Sequence, residues 1–172
     1  MSRELRKALG CYPTGVTIIT APDAEGSVVG VTANSFAAVS LDPPLVLWSL
    51  DMSAYSLDAF TQAGHFAVNV LSQDHLEMSQ HFATRQVDKF AAVSYERGIG
   101  GVALFTGCAA RFQCRTVATH DEGDHRIFIG EVLEFTSQPN VEPLVFTHGR
   151  YAEIVGHRDI AEPVEEWTEP WV

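Results

Sequence analysis

A run of polar and small side chains interrupts a segment that otherwise has the composition of a buried strand. Residues 28–39 are rich in valine and alanine, but Thr32, Asn34 and Ser35 place hydroxyl and amide groups close together. Small residues let a planar ligand approach the backbone, and hydroxyl and amide groups can pair with its polar edges. The run therefore predicts a ligand-binding strand. The alternative is a strand that turns polar where it reaches solvent.

A second candidate site follows the apolar strand predicted over residues 45–50. Ser53 and Ser56 stand at the start of a helix predicted over residues 53–63, with Ser53 as its capping residue. Free N–H groups, the positive end of the helix dipole and two hydroxyls are typical of a phosphate site. Lys89 would add a counter-charge. The alternative is that the serines serve only the helix start and that Lys89 is a surface residue.

Other patterns that often carry chemistry give little support to a metal or nucleophile mechanism. Residues 120–125 (HDEGDH) gather two imidazoles and three carboxylates, but their spacing matches no common ligand set and predicts a turn between two strands. His125 opens the second of these strands. The sequence contains no dinucleotide-binding glycine fingerprint, no phosphate-binding loop and no nucleophile elbow. The three cysteines, Cys11, Cys108 and Cys114, lack metal spacing and are expected to be reduced.

The elements that must position these residues are mostly strands. Strands are predicted over residues 15–20, 28–39, 45–50, 66–71, 110–118, 126–135 and 146–155, with Gly130 as a bulge or close-approach point. Helices are predicted over residues 2–9, 53–63 and 74–82. Because strands and helices do not alternate regularly, the pattern favours a mainly β, antiparallel barrel with a few short helices over a parallel sheet.

Domain organisation and composition narrow the classes of partner. Residues 1–156 are predicted to form one domain, and residues 157–172 an acidic tail whose Trp167 and Trp171 pack on the body or on a second subunit. The chain of 172 residues has a formal net charge of −11 and no basic cluster, which argues against nucleic acid and anionic membranes. No apolar run approaches the ~18 residues of a membrane span, so a cytoplasmic protein is expected.

Several of these segments together resemble the flavin reductase-like family, the small reductase partners of two-component flavin monooxygenases. The similarity covers nearly all of residues 3–152 in the expected order. The segments that carry it are 13–17 (PTGVT), 30–36 (GVTANSF), 39–46 (VSLDPPLV), 66–71 (FAVNVL), 88–90 (DKF) and 123–132 (GDHRIFIGEV). The resemblance implies a split β-barrel, a homodimer, bound FMN or FAD, NADH or NADPH as the hydride donor, and a monooxygenase that receives reduced flavin.

The resemblance also implies roles for individual residues. The stretch from Thr32 to Phe36 would line the isoalloxazine ring, residues 49–51 would flank the flavin, and His125 would lie near the nicotinamide. Ser53 and Ser56 match positions that hold the flavin phosphate. The full set of implied flavin-binding residues is Thr14, Thr32, Ala33, Asn34, Ser35, Phe36, Ser49, Leu50, Asp51, Ser53, Ser56, Phe82, Ala83, Lys89 and Phe90.

This interpretation accounts for the absence of a catalytic triad. Hydride passes directly between two cofactor rings, so the protein only has to stack the rings and exclude water. Without a basic cluster for a 2′-phosphate, NADH is favoured over NADPH. Two alternatives remain: a flavoprotein that keeps its flavin and reduces another acceptor, such as a corrinoid or a small organic molecule, and a flavin-binding protein without turnover.

Overall fold

The computed structural model describes residues 2–85 and 88–154. The helices are α1 (Ser2–Leu9), α2 (Leu57–Gln62) and α3 (Leu76–Phe82), with short 3₁₀ turns over Gln73–His75 and Ile99–Gly101. The strands are β1 (Thr14–Gly15), β2 (Thr17–Pro22), β3 (Val28–Ala33), β4 (Ala37–Leu41), β5 (Pro44–Asp51), β6 (His65–Val70), β7 (Glu96–Arg97), β8 (Ala103–Leu104), β9 (Ala110–Glu122), β10 (His125–Ser137), β11 (Val145–Thr147) and β12 (Arg150–Ala152).

Seven strands form one antiparallel sheet that curls into a barrel. The strand order is β3-β2-β6-β9-β10-β5-β4, which puts β3 and β4 at opposite edges of the sheet. Only residues 34–36 connect these two strands. A connection of this length reaches at most about 14 Å, so the two edges of the sheet must lie close together. The predicted antiparallel barrel is therefore confirmed, with a split where β3 and β4 do not pair.

Apolar side chains form one core inside the barrel and a second core outside it. Inside, the indole of Trp48 stacks on the ring of Phe128, with the ring centroids 4.7 Å apart. Outside, α3 covers part of the wall, where Phe82 packs with Val16, Ile18 and other residues of the second core. Because β2 contributes to both cores, all of its residues except Pro22 are buried. This explains the unbroken run of β-branched residues that predicted the strand.

Two predicted strands are divided in the structure. The strand predicted over residues 28–39 is β3 and β4, because the chain leaves one edge of the sheet at Ala33 and joins the other edge at Ala37. The strand predicted over residues 146–155 is the hairpin of β11 and β12. The turn of that hairpin uses His148 and Gly149, which have φ values of 50° and 75°. Such a turn reverses the chain in two residues.

The sequence also led to expectations about Gly130, the cysteines, membrane spans and the C-terminal tail. The expected role of Gly130 is confirmed, since the β9–β10 register shifts beside it and a Cβ there would overlap the ring of Phe66. Among the described residues, all three cysteines are free thiols. No helix in residues 2–85 and 88–154 is both long and apolar enough to cross a bilayer. The predicted acidic tail over residues 157–172 lies outside the described residues.

Candidate functional site

A cleft of about 690 Å³ runs along the outer wall of the barrel beside the split. It is bordered by β3, the 34–36 connection, the end of β5, the following turn and the C-terminal end of α3. Every predicted site residue except Thr14 and Phe36 lines it. These residues are Thr32, Ala33, Asn34, Ser35, Ser49, Leu50, Asp51, Ser53, Ser56, Phe82, Ala83, Lys89, Phe90 and His125.

The hydroxyls of the polar run hold the walls of the cleft together. The Thr32 hydroxyl donates to the Ser79 carbonyl in α3 at 2.6 Å. The Ser35 hydroxyl donates to the Ser49 carbonyl at 3.1 Å and accepts from the Ser49 N–H at 3.0 Å, which ties the 34–36 connection to β5. Since both hydroxyl protons are donated within the protein, the donors left for a ligand on this wall are the backbone N–H groups and the Asn34 amide, while the hydroxyl oxygens can still accept.

The turn after β5 is organised by Asp51 rather than by a helix cap. The Asp51 carboxylate accepts hydrogen bonds from the Ser53 N–H at 2.7 Å and from the Ser53 hydroxyl at 2.6 Å. These bonds are the main reason that the pKa of Asp51 is lowered. Helix α2 begins only at Leu57, so the prediction of Ser53 as its capping residue is wrong. Ser56 precedes the helix, and its hydroxyl makes no capping hydrogen bond.

The opposite wall is aromatic and closely packed. The rings of Phe82 and Phe90 meet edge to face, with their centroids 5.0 Å apart. Gly30 of β3 lies against both rings, and a Cβ at this position would come within 2.7 Å of Phe82 Cε1. The Lys89 ammonium donates to the carbonyls of Phe82 at 2.7 Å and Gly30 at 3.2 Å. This bonding joins α3 to β3 and fixes the width of the wall.

His125 stands at the mouth of the cleft, at the first position of β10. It is directly opposite Asp51 of β5 in the strand register. Its Nδ1 lies 2.7 Å from Asp124 Oδ1, and its side chain is 43% exposed. Because an ionised carboxylate can only accept a hydrogen bond, His125 is the donor in this contact, and its Nδ1 carries a proton. Its Nε2 takes no part in the contact with Asp124. The imidazole is thus oriented by its neighbour while it borders the cleft.

Two predicted residues lie away from the cleft lining. Thr14 belongs to β1, which pairs with β11 in a separate three-stranded sheet. Phe36 packs against the barrel core, with its ring centroid 5.6 Å from that of Phe112. Although Phe36 directly follows the polar run in the sequence, its side chain does not point into the cleft as the run does. For Phe36, the apolar ring faces the core.

The cleft also contains residues that the sequence analysis missed. Arg85 and Tyr55 lie on its rim, and the rest are Val28, Val29, Gly30, Val31, Ala54 and Thr84. The valines and Gly30 could have been found by extending the site along the whole edge strand. Arg85 had no such signal, because the sequence around it shows no periodicity or motif that would place it beside Asp51.

The cleft has the volume and the mixed lining of a small-molecule pocket. Pockets for such ligands have volumes of roughly 300–1,000 Å³, apolar walls and a few polar groups. Here the lining combines Gly30 and aromatic residues with backbone groups and the Asn34 amide. Within residues 2–85 and 88–154, no cluster of His, Cys, Asp and Glu could hold a metal ion. The residues present therefore fit a planar, partly polar ligand.

Comparison with known proteins identifies the family. The family model for the flavin reductase like domain matches residues 9–155. The chain belongs to this flavin reductase-like family. The match covers both walls of the cleft and nearly the whole described fold, and it confirms the resemblance inferred from the short motifs.

Named relatives of the flavin reductase-like family agree with this assignment. The chain is 47% identical over 150 residues to the FMN reductase (NADH) SmoA of Agrobacterium fabrum, covering 87% of this chain and 84% of the relative. The reductase component of the flavin-dependent trigonelline monooxygenase of Acinetobacter baylyi is 42% identical over 135 residues, or 78% of this chain. The chain spans only 44% of that longer relative.

A solved structure extends the similarity to the fold. The NADH:FAD oxidoreductase SgcE6 of Streptomyces globisporus, in complex with NAD and FAD fragments, superposes with a TM-score of 0.86 at 36% identity. The alignment covers 92% of this chain and 95% of that chain. The barrel described above is therefore the split barrel of flavin reductases, as the family resemblance implied.

Proposed function

We propose that this protein is an NAD(P)H-dependent flavin reductase that reduces FMN or FAD. The observation that carries the proposal is the cleft at the split, whose backbone, glycine and aromatic walls suit a planar ring system. Membership of the flavin reductase-like family supports it. Two of the relatives named above carry this activity in their names, the FMN reductase (NADH) SmoA and the NADH:FAD oxidoreductase SgcE6. NADH is the favoured donor here, because the chain has no basic cluster for a 2′-phosphate.

The residues of the cleft would act by binding and orientation. The flavin supplies the redox chemistry, accepting a hydride from the nicotinamide. Ala33 and Asn34 would face the ring edge, while Gly30 with its aromatic neighbours would support the wall. His125 would contact the nicotinamide at the mouth of the cleft. Exclusion of water and fixed orientation account for rate enhancement without a protein nucleophile.

The proposed role in the cell is to supply reduced flavin to a partner. The Acinetobacter relative is the reductase component of a flavin-dependent monooxygenase. By analogy, reduced flavin leaves this protein and a separate monooxygenase uses it. We place both proteins in the cytoplasm, where the three free cysteines of this chain would stay reduced.

Anaerobic turnover with excess flavin tests the proposed function. Purified protein is mixed with equal concentrations of NADH and FMN, both in large excess over the protein, and absorbance is followed at about 340 and 450 nm, the bands of the two reactants. We expect both bands to disappear over many turnovers. Bleaching limited to one bound equivalent would favour a reductase that keeps its flavin and acts on another acceptor. No bleaching with either NADH or NADPH would indicate a binding protein without turnover.

Flavin binding is expected to stabilise the fold, with Ser56 contributing through the flavin phosphate. A ligand that binds only the native state adds about 2.7 kcal/mol to the unfolding free energy at a hundredfold excess over Kd. FMN should therefore raise the melting temperature more than riboflavin, which lacks the phosphate. Ser56→Ala should weaken FMN binding roughly tenfold and leave riboflavin binding unchanged, since hydrogen bonds to charged groups contribute about 1.5–3 kcal/mol.

Ser53→Ala is the matched control for the phosphate site. The Ser53 hydroxyl donates its hydrogen bond to Asp51. Ser53→Ala should therefore leave the ratio of the FMN and riboflavin affinities unchanged. Calorimetric titration of both flavins against both variants measures this discrimination. Equal affinities of the wild-type protein for FMN and riboflavin would contradict a phosphate site in this turn.

We further propose that the protein is a homodimer that pairs through the outer face of β5 and β10. Val46 and Trp48 point into the barrel core, so Leu45 and Leu47 point outward. The register aligns Leu47 with Ile129, and Ile127 follows on the same face. Outer faces of antiparallel sheets are usually polar, so a patch of Leu45, Leu47, Ile127 and Ile129 suggests that a partner covers it.

Light scattering tests the dimer. We expect a mass of twice 18.8 kDa at micromolar concentration. Ile129→Lys should shift the protein to monomers, because it would bury an unpaired charge at the interface. Ile99→Lys is the control, since Ile99 is 39% exposed on a 3₁₀ turn away from this face. A wild-type protein that runs as a monomer would contradict the proposal.

A further inference from the structure

Lys89 is held in a fixed position in the wall of the cleft. Its ammonium donates to the carbonyl of Phe82, the last residue of α3, at 2.7 Å, and to the carbonyl of Gly30 in β3 at 3.2 Å. The backbone of Lys89 is also fixed, because its carbonyl lies 2.8 Å from Nε2 of His81. The positive charge therefore cannot move far from the cleft.

The charge of Lys89 has no counter-ion in the described part of the chain. The ion pairs of residues 2–85 and 88–154 do not include it. The neighbouring Asp88 carboxylate instead accepts from the N–H groups of Phe90 and Ala91. Lys89 is half-buried, and this burial lowers the pKa of its ammonium. A cation kept from water without an anion is costly for the fold, and such groups cluster at functional sites.

The proposed reaction produces an anion in this cleft. A hydride, carrying two electrons and one proton, leaves C4 of the nicotinamide and forms a bond to N5 of the flavin. The products are the oxidised nicotinamide and a reduced flavin with a negative charge centred on N1. No further proton is needed to balance the step. Fixed charges near the flavin ring are a principal means by which a protein adjusts its redox behaviour.

We propose that Lys89 is the fixed cation that makes the cleft bind reduced flavin more tightly than oxidised flavin. This inference rests on the proposed function, because it assumes that the flavin ring occupies the cleft. It differs from the counter-charge role for the phosphate considered from the sequence. A phosphate carries its charge in both redox states, whereas the ring becomes negative only on reduction.

Binding constants for both redox states test the proposal without measuring turnover. FMN and riboflavin are titrated in oxidised form, and in dithionite-reduced form under anaerobic conditions, into the wild-type protein and Lys89→Met. We expect the variant to lose about tenfold in affinity for reduced flavin relative to oxidised flavin, for both ligands. By the thermodynamic cycle, that ratio lowers the two-electron potential of the bound flavin by about 30 mV.

Two control variants separate charge from structure. Lys7→Met removes an exposed lysine of α1 and should leave all four constants unchanged. Lys89→Gln keeps a hydrogen-bond donor without the charge, so it should reproduce the redox effect even if Lys89→Met folds poorly.

Two results would overturn the proposal. Equal losses in both redox states would mean that Lys89 only holds the wall in place. A loss for FMN but not for riboflavin would assign Lys89 to the phosphate. If the wild-type protein bound neither flavin, the proposed function itself would fail.

Discussion

Replacing His125 with alanine is expected to lower kcat/KM for NADH-driven flavin reduction by roughly tenfold to a hundredfold, or about 1.4–2.7 kcal/mol of transition-state stabilisation. The imidazole borders the mouth of the cleft and is oriented by Asp124. From this position it can contact the nicotinamide without supporting the flavin. Flavin affinity should therefore change little, because the other cleft residues lie on separate segments. Anaerobic stopped-flow reduction and a flavin titration on the same preparation measure both quantities.

His120→Ala provides the matched control for His125. His120 is an exposed histidine of β9 that pairs with Ile127 in the same hairpin and does not line the cleft. Its loss should leave the reduction rate unchanged. If His125→Ala lowered the melting temperature but reduced flavin at the wild-type rate per folded molecule, His125 would serve only the turn.

Gly30→Ala is expected to damage both the stability of the protein and its affinity for flavin. The added Cβ would come within 2.7 Å of Phe82 Cε1 and 3.1 Å of Phe90 Cζ. Phe82 is fully buried, so its ring cannot move aside without disturbing the second core. Overpacking of this kind costs about 1–3 kcal/mol. Because these packed rings support the wall of the cleft, we expect flavin affinity to fall at least tenfold in a fluorescence titration.

The control for this wall is Gly15→Ala. Gly15 lies in β1, where a Cβ would meet nothing within 4 Å. Urea unfolding should show a small change for Gly15→Ala and a large one for Gly30→Ala. An unchanged flavin affinity in Gly30→Ala, despite the loss of stability, would show that this wall does not contact the ligand.

The parts of the fold that the sequence predicted are those with strong local signals. The β-branched run of β2 and the apolar run of β5 define strands whatever their neighbours are. The break at residues 34–36 has no local signal, because it arises where the barrel closes. Similarly, Ser53 and Ser56 are residue types that often begin a helix. In the structure the Asp51 carboxylate accepts hydrogen bonds from Ser53, and the helix begins only at Leu57.

The part of the cleft that could be predicted from the sequence is the part whose lining residues form one continuous motif. The polar run over residues 32–35 spans the end of the edge strand β3 and the connection across the split, so its unusual composition marks the site directly. The function of its hydroxyls was not predictable, because Thr32 and Ser35 bond to groups brought near only by folding. Thr14 lies within one motif of the family resemblance and Phe36 ends another, but the structure places both in other contacts.

The measurement that tests the central claim most directly is a crystal structure of the protein with bound FMN. We expect the isoalloxazine ring to contact Ala33 and Asn34 within the cleft, with its phosphate end toward Ser56 and Arg85. A rival aromatic surface exists at the end of the barrel, where Phe135 is 65% exposed and its ring stacks on Phe112. Flavin density on that surface, with the cleft empty at saturating FMN, would contradict the assignment of the cleft as the flavin site.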